Sequence, residues 1–434
     1  MKNNLASFLA LIETKSGDLL ASLALIFIGY AFYNPALRFV PVDFDDLVLL
    51  SSVKKIGNPL EFFARDWGFG NYGYRPLHSI SLWFGYKLFG VSAGPNQLVN
   101  VLLHIFVILL LYTLLARLQQ NRLLAFLFSC LSLVSFYTLS PATWVSDRPT
   151  LLVAFFLLIA LNYLCRLPQE RQPSLLLLGG LSTLALLSKE SGLLVPLAII
   201  FFLMVAAQKS AGRTRTFLFL LALITIYFLF RFFLFGSQAG TYEESGYLFG
   251  FRYYSNSGVL SGEEAILARV DNVVKNMIAI FLPIFDGQGK LSPIGSWSNT
   301  AILLSTTLLL IILSTGRKLS AWQKIGLAII LLNALVHFQV FRYRTLYLAQ
   351  IGLSIFLAAS PLNVRNQNFR SALITAAAAL LFLWNINIIG EDLTYQYLAR
   401  VDRIRMESFE SDILTSSSQI DPDIIKNIIS KYRH

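Results

Sequence analysis

Charged side chains at the ends of long apolar runs are what this chain offers for chemistry. The first group is Asp43-Phe44-Asp45-Asp46, three carboxylates in four residues. Adjacent carboxylates repel, which raises the pKa of one of them, and a carboxylate held near a bound hydroxyl can act as a general base. The same residues suit a helix N-terminus, where Asp is favoured by capping and by the dipole, so both readings stand. The second group is Tyr74-Arg75-Pro76-Leu77-His78. Arg75 could grip a phosphate bidentately or snorkel at an interface, and His78 could carry a proton, serve as a ligand or be an interfacial histidine. Asn100 and His104, four apart on one helical face, could bind each other, a substrate or a metal, although hydrogen-bonded packing is the simpler reading. Asp147 and Arg148 either pair locally or give Asp147 as a second acid facing the first group. Lys189-Glu190 is a two-charge turn between apolar runs, where Lys189 could meet an anionic headgroup or both charges could pair with their neighbours. Arg342, Arg344 and Tyr347 form the last group.

The elements that must position these residues follow from composition. The chain has 434 residues, 56% of them apolar and 14% charged. A soluble chain carries roughly 45–50% and 25%, so a water-soluble globule is excluded. Apolar runs at 18–37, 97–116, 122–140, 149–165, 174–188, 191–207, 216–236, 298–314, 322–341, 345–361 and 371–390 predict an all-α polytopic membrane protein. About eleven transmembrane helices are expected, within a range of about 10–13. With a cytoplasmic N-terminus, the inside loops carry Arg117, Arg122, Arg166, Arg171, Arg213, Arg215, Arg317, Lys318, Arg365 and Arg370. This is the positive-inside pattern; it also accounts for the net charge of +11 without nucleic acid. The transmembrane domain then covers 1–390, with long outer loops at 41–96 and 237–297 and a short helical tail at 391–434 outside. The segments 77–91 and 265–285 read as helices on the membrane surface. Arg342 and Arg344 fall outside, against the rule, which a permanent anionic partner explains. Cys130 and Cys165 give no disulfide framework. No P-loop, dinucleotide fingerprint, HExxH or GxSxG occurs, and no metal is required or supported by the sequence. An outer-face cavity lined by carboxylates and cations fits an enzyme acting on a lipid-linked phosphate.

Taken in order, Phe44-Asp45-Asp46, Tyr74-Arg75-Pro76-Leu77, Leu88-Phe89-Gly90, Asn100 with His104, Arg148 with Leu151-Leu152, Ser188-Lys189-Glu190-Ser191, and Arg344 with Leu346-Tyr347-Leu348 resemble the GT-C class of integral-membrane glycosyltransferases. Within it they are similar to the protein O-mannosyltransferases and the membrane half of the TMTC proteins. The resemblance implies a polyprenyl-phosphate sugar donor and a protein, lipid or polysaccharide acceptor on the non-cytoplasmic side. Its catalytic base would be Asp45 or Asp46, with Asp43 and Asp147 as further acids. Arg344, Lys189, Arg75 and Arg148 would hold the donor phosphate, supported by Glu190, His78, Asn100, His104 and Tyr347. Thr150 stands where the family often has an acid, and Asp147 is the residue that could replace it. A bacterial plasma (inner) membrane is the expected location. A lipid-linked glycan ligase or polymerase, a lipid or solute transporter and a non-catalytic scaffold of glycan assembly are the rival readings.

Overall fold

A computed structural model describes residues 17–34, 37, 44–68, 73–90, 93–118, 122–168, 171–205, 211–236, 252–255, 258–261, 263–281, 319–338 and 342–359. The expected runs at 298–314 and 371–390 and the 391–434 tail lie outside the described residues. Every other expected run falls on a helix. In order these are α1 (Gly17–Tyr33), α2 (Phe44–Lys54), α3 (Pro76–Phe89), α4 (Ala93–Leu118), α5 (Arg122–Leu133), α6 (Phe136–Thr143) and α7 (Arg148–Arg166). They continue with α8 (Leu175–Leu186), α9 (Leu194–Val205), α10 (Ala211–Phe235), α11 (Glu263–Phe281), α12 (Ala321–Val336) and α13 (Tyr347–Ala358).

Among the described residues the architecture is helical as expected, apart from one short hairpin. Arg252–Ser255 (β1) and Gly258–Ser261 (β2) pair antiparallel, with Tyr253 opposite Leu260. Aromatic and β-branched residues favour the pleated chain there, in a loop whose helical pattern starts only at 263. By length and composition, fewer spans than the expected eleven stand out. Among the described residues, Gly94–Leu118, Val145–Arg166 and Gly212–Phe235 are long and apolar enough to cross a membrane. The pair Arg122–Leu133 and Tyr137–Thr143, bent by 64°, makes a fourth if it is one span. The remaining apolar helices are 10–17 residues long. Local chemistry shortens them. Ser135 caps α6 by accepting from the Tyr137 amide at 3.3 Å, which starts a new helix inside one apolar run.

Apolar side chains of α1, α4, α5, α7, α8, α9, α12 and α13 form one core cluster. In lipid there is little hydrophobic gain from helix association, so close packing must carry it. α12 and α13 show this directly, since a Cβ on Gly326 would lie 2.6 Å from the Gly352 carbonyl oxygen. A second cluster, including Leu49, Val53, Phe62, Trp67, Leu82 and Val145, docks α2, the 3-10 turn Pro59–Ala64 and α3 onto the start of α7. The first long loop therefore folds back as a cap on one end of the bundle. α8 is a 12-residue helix, about 18 Å long against an apolar thickness of about 30 Å, so the charged turn after it needs partners. That turn is tight: a Cβ on Gly192 would meet the Ala185 carbonyl oxygen at 2.0 Å. Gly192→Ala is expected to cost about 1–3 kcal/mol or more by overpacking. Thermal unfolding in detergent measures it, and an unchanged midpoint would contradict the geometry.

Candidate active site

The charged turns gather at the capped end. Asp46 lies in the first turn of α2, only 2% exposed. Its Oδ1 accepts from the Ser146 amide at 2.8 Å and from the Ser146 hydroxyl. This ties the first loop to the turn between α6 and α7. Asp45 is in the same helical turn, but its side chain, like all of Asp43, lies outside the described residues.

Asp147 is 4% exposed. Its Oδ1 accepts from Thr150 Oγ1 at 2.6 Å and from Lys189 Nζ at 3.1 Å, and Lys189 also donates to Thr150 Oγ1 at 2.7 Å. Thr150 thus sits in the same ion-pair cluster as the acid three residues before it. Burial pulls the Lys189 ammonium below the usual lysine range, while Asp147 opposes that shift. Next to it, Arg75 donates from Nε to Glu190 Oε2 at 3.0 Å, and its Nη2 lies 2.9 Å from the same oxygen. The guanidinium also stacks 3.8 Å from the centroid of the Trp67 ring. Burial alone would raise the pKa of Glu190, but Arg75, followed by Arg231, overrides it and holds the group at about 2. The Arg75–Glu190 pair therefore keeps its charge throughout the neutral and mildly acidic range.

Arg344 follows α12 and precedes α13, with its guanidinium 4.2 Å from the centroid of the Trp144 ring. Among the described residues no carboxylate forms an ion pair with it. It is half-buried, and it is the cation of the group with most capacity left for an anion.

Other expected residues are already committed to packing. Arg148 is 1% exposed and donates to Asn100 Oδ1 at 2.7 Å, the Asn96 carbonyl at 3.0 Å and the Ser81 carbonyl at 3.1 Å. Asn100 in turn donates to the Trp144 carbonyl at 2.7 Å and the Pro141 carbonyl at 3.2 Å. Its partners are Arg148 and the α6–α7 turn, not His104. His104 Nδ1 and the Tyr347 hydroxyl lie 2.7 Å apart, and His104 Nε2 donates to the Leu133 carbonyl at 3.0 Å. These bonds join α3, α4, α7 and α13 behind the charged turns. Arg148→Met would leave two buried acceptors, on Asn100 and Asn96, without their donor, at about 1–3 kcal/mol each. Expected is a large drop in the thermal midpoint in detergent, and a midpoint equal to wild type would contradict the bolt role.

Sequence reasoning missed Arg231, Trp67 and His337. Arg231 is 3% exposed in α10 and acts electrostatically on Glu190. A lone charge near the end of an apolar run was the signal for it. His337 closes α12 and lies in the field of Lys189, Asp147 and Glu190. α11 covers this side, with Asn276 donating to the His337 carbonyl at 3.3 Å and accepting from Thr345 at 3.2 Å. Several polar atoms here are buried without a hydrogen-bond partner among the described residues: both ring nitrogens of His78, Trp144 Nε1, Asp147 Oδ2, Glu190 Oε1 and Ser191 Oγ. Among the described residues no group of three or more His, Cys, Asp or Glu side chains is arranged to hold a metal ion.

Comparison with known proteins bears on this end of the bundle. Residues 75–235 match the family model for dolichyl-phosphate-mannose-protein mannosyltransferase. No curated protein matches the chain. The cryo-EM structure of the arabinofuranosyltransferase AftD from mycobacteria is similar at a TM-score of 0.42 and 15% identity, covering 86% of this chain and 27% of that one. The chain spans about a quarter of the length of that protein. The protein is a helical integral membrane protein that resembles the GT-C glycosyltransferases. Within that class its likeness is to a mannosyltransferase, over a stretch holding Arg75, His78, Asn100, His104, Asp147, Arg148, Lys189, Glu190 and Arg231.

Proposed function

We propose that the protein transfers a sugar from a polyprenyl-phosphate donor to an acceptor hydroxyl on the non-cytoplasmic face, by a single inverting displacement. The observation that supports it most is the gathering of Asp46, Asp147 and Glu190 with Arg75, Lys189, Arg231 and Arg344 at one end of an apolar bundle. Such charges are costly at a membrane boundary and serve an anionic substrate there. Asp45 or Asp46 takes the proton from the acceptor hydroxyl as it attacks the sugar C1, and the polyprenyl phosphate leaves from the opposite face. Arg344, with Lys189, balances the charge that grows on the leaving phosphate. Arg75 is held by Glu190 and Trp67, so it adds field and shape to the phosphate site. Arg148 contributes by fixing the α6–α7 turn and with it Ser146, the tether of Asp46.

The donor side is tested by incubating purified protein in liposomes with a polyprenyl-phosphate sugar of known anomeric configuration and reading the product by NMR. Inverted product with release of the carrier phosphate is expected. Retained configuration would rule out the single displacement. Binding of the carrier with no transfer to any acceptor would favour the scaffold reading.

A further inference from the structure

His78 is a buried polar group that the proposed mechanism leaves unused. It sits in the first turn of α3, fully buried, and among the described residues neither ring nitrogen has a hydrogen-bond partner. Its surroundings are built. The Trp67 ring lies 6.2 Å away and carries the Arg75 guanidinium on its face at 3.8 Å. On the other side, the His78 carbonyl accepts from the Ser81 hydroxyl at 2.7 Å, and the Ser81 carbonyl accepts from Arg148 at 3.1 Å. Burial, together with Arg148, Arg75 and Lys189 nearby, holds the imidazole neutral. A neutral imidazole offers one N–H donor and one acceptor nitrogen, and burying both idle is unfavourable. Asp147, Glu190 and Ser191 also present idle buried oxygens from the adjacent turns. Three cations around an uncharged N–H donor suit an anionic oxygen such as that of a phosphate.

We propose that His78 binds the donor directly, its ring N–H donating to a phosphate oxygen of the lipid carrier. This rests on the glycosyl-transfer reading and names one residue of its phosphate site. His78 contributes a hydrogen bond and no charge, so its loss weakens donor binding without touching the attacking hydroxyl.

The test uses the full chain in nanodiscs and farnesyl phosphate as a sugar-free probe, with inorganic phosphate as the second arm. Wild type is expected to bind farnesyl phosphate more tightly than inorganic phosphate. His78→Phe should weaken farnesyl phosphate binding about tenfold, and His78→Gln, which keeps a donor and an acceptor, should stay within about threefold of wild type. In transfer assays KM for the donor should rise with kcat little changed. Should His78→Phe not fold, the ring ¹⁵N shifts of wild-type His78 give the answer, since bound farnesyl phosphate must move them. Equal affinity of wild type and His78→Phe, or unmoved ring shifts on saturation, overturns the role of His78 while leaving glycosyl transfer standing. Failure of wild type to bind any lipid phosphate overturns both.

Discussion

Replacing Asp45 and Asp46 together by Asn is expected to lower sugar transfer by about 10²–10⁴-fold, the range lost with a general base. The expectation separates two roles that the structure sets side by side. Asp46 is buried and tied to the Ser146 amide and hydroxyl, and an Asn at this position still offers an oxygen to that amide. The cap on the bundle should therefore survive, and circular dichroism and the thermal midpoint should stay close to wild type. The single variants then assign the base. If Asp46 serves only as the tether, Asp46→Asn keeps most of the rate and Asp45→Asn loses it. If the buried carboxylate is the base, the pattern reverses. Turnover retained in the double variant would remove the first loop from the chemistry altogether.

Arg344→Ala is expected to weaken binding of a bare polyprenyl phosphate by about 10–150-fold, the equivalent of about 1.5–3 kcal/mol for a hydrogen bond to a charged group. Among the cations of the site it is the one that stacks on an indole without an ion-pair partner among the described residues, so its donors remain available to an incoming anion. Arg344→Lys keeps the charge and loses the planar fork, and it should fall between wild type and Ala. Removing Arg75 tests a different thing, because Glu190 would lose its partner and the variant would fail through the fold as well as through binding. Titration calorimetry or a fluorescent lipid phosphate gives the constants, and an Arg344→Ala affinity equal to wild type would contradict the clamp.

The contrast between Arg75 and Arg344 shows what was legible in the sequence. Charges at the ends of apolar runs are costly at a membrane, so Asp46, Arg75, Asp147, Lys189, Glu190 and Arg344 could be singled out from type and place alone. Their pairing could not. Arg75 meets Glu190 across 115 positions of chain, and Lys189 meets Asp147 across 42. No local rule connects such partners. Arg148 looks like Arg75 in sequence, yet its donors bolt α3 and α4 to α7, while Asn100 was grouped with His104 by helical spacing and pairs with Arg148 instead. The apolar runs located the helices well but overstated the length of several, α8 and α9 among them. Hydropathy does not register a cap such as Ser135 or a turn such as 187–193, where hydrogen bonds decide the ends. The β1–β2 hairpin was missed because four-residue strands carry too little alternation to stand out in a loop read for helical spacing.

The most direct test of the central claim is a donor panel. Wild-type protein in proteoliposomes is given radiolabelled polyprenyl-phosphate sugars beside the matching nucleotide sugars, with protein, lipid and polysaccharide acceptors present. Label passing from one polyprenyl-phosphate sugar to an acceptor, with the nucleotide sugars inert, is the expected result and names the sugar. Transfer from a nucleotide sugar, or movement of intact lipid-linked sugar across the bilayer with no new glycosidic bond, would contradict it.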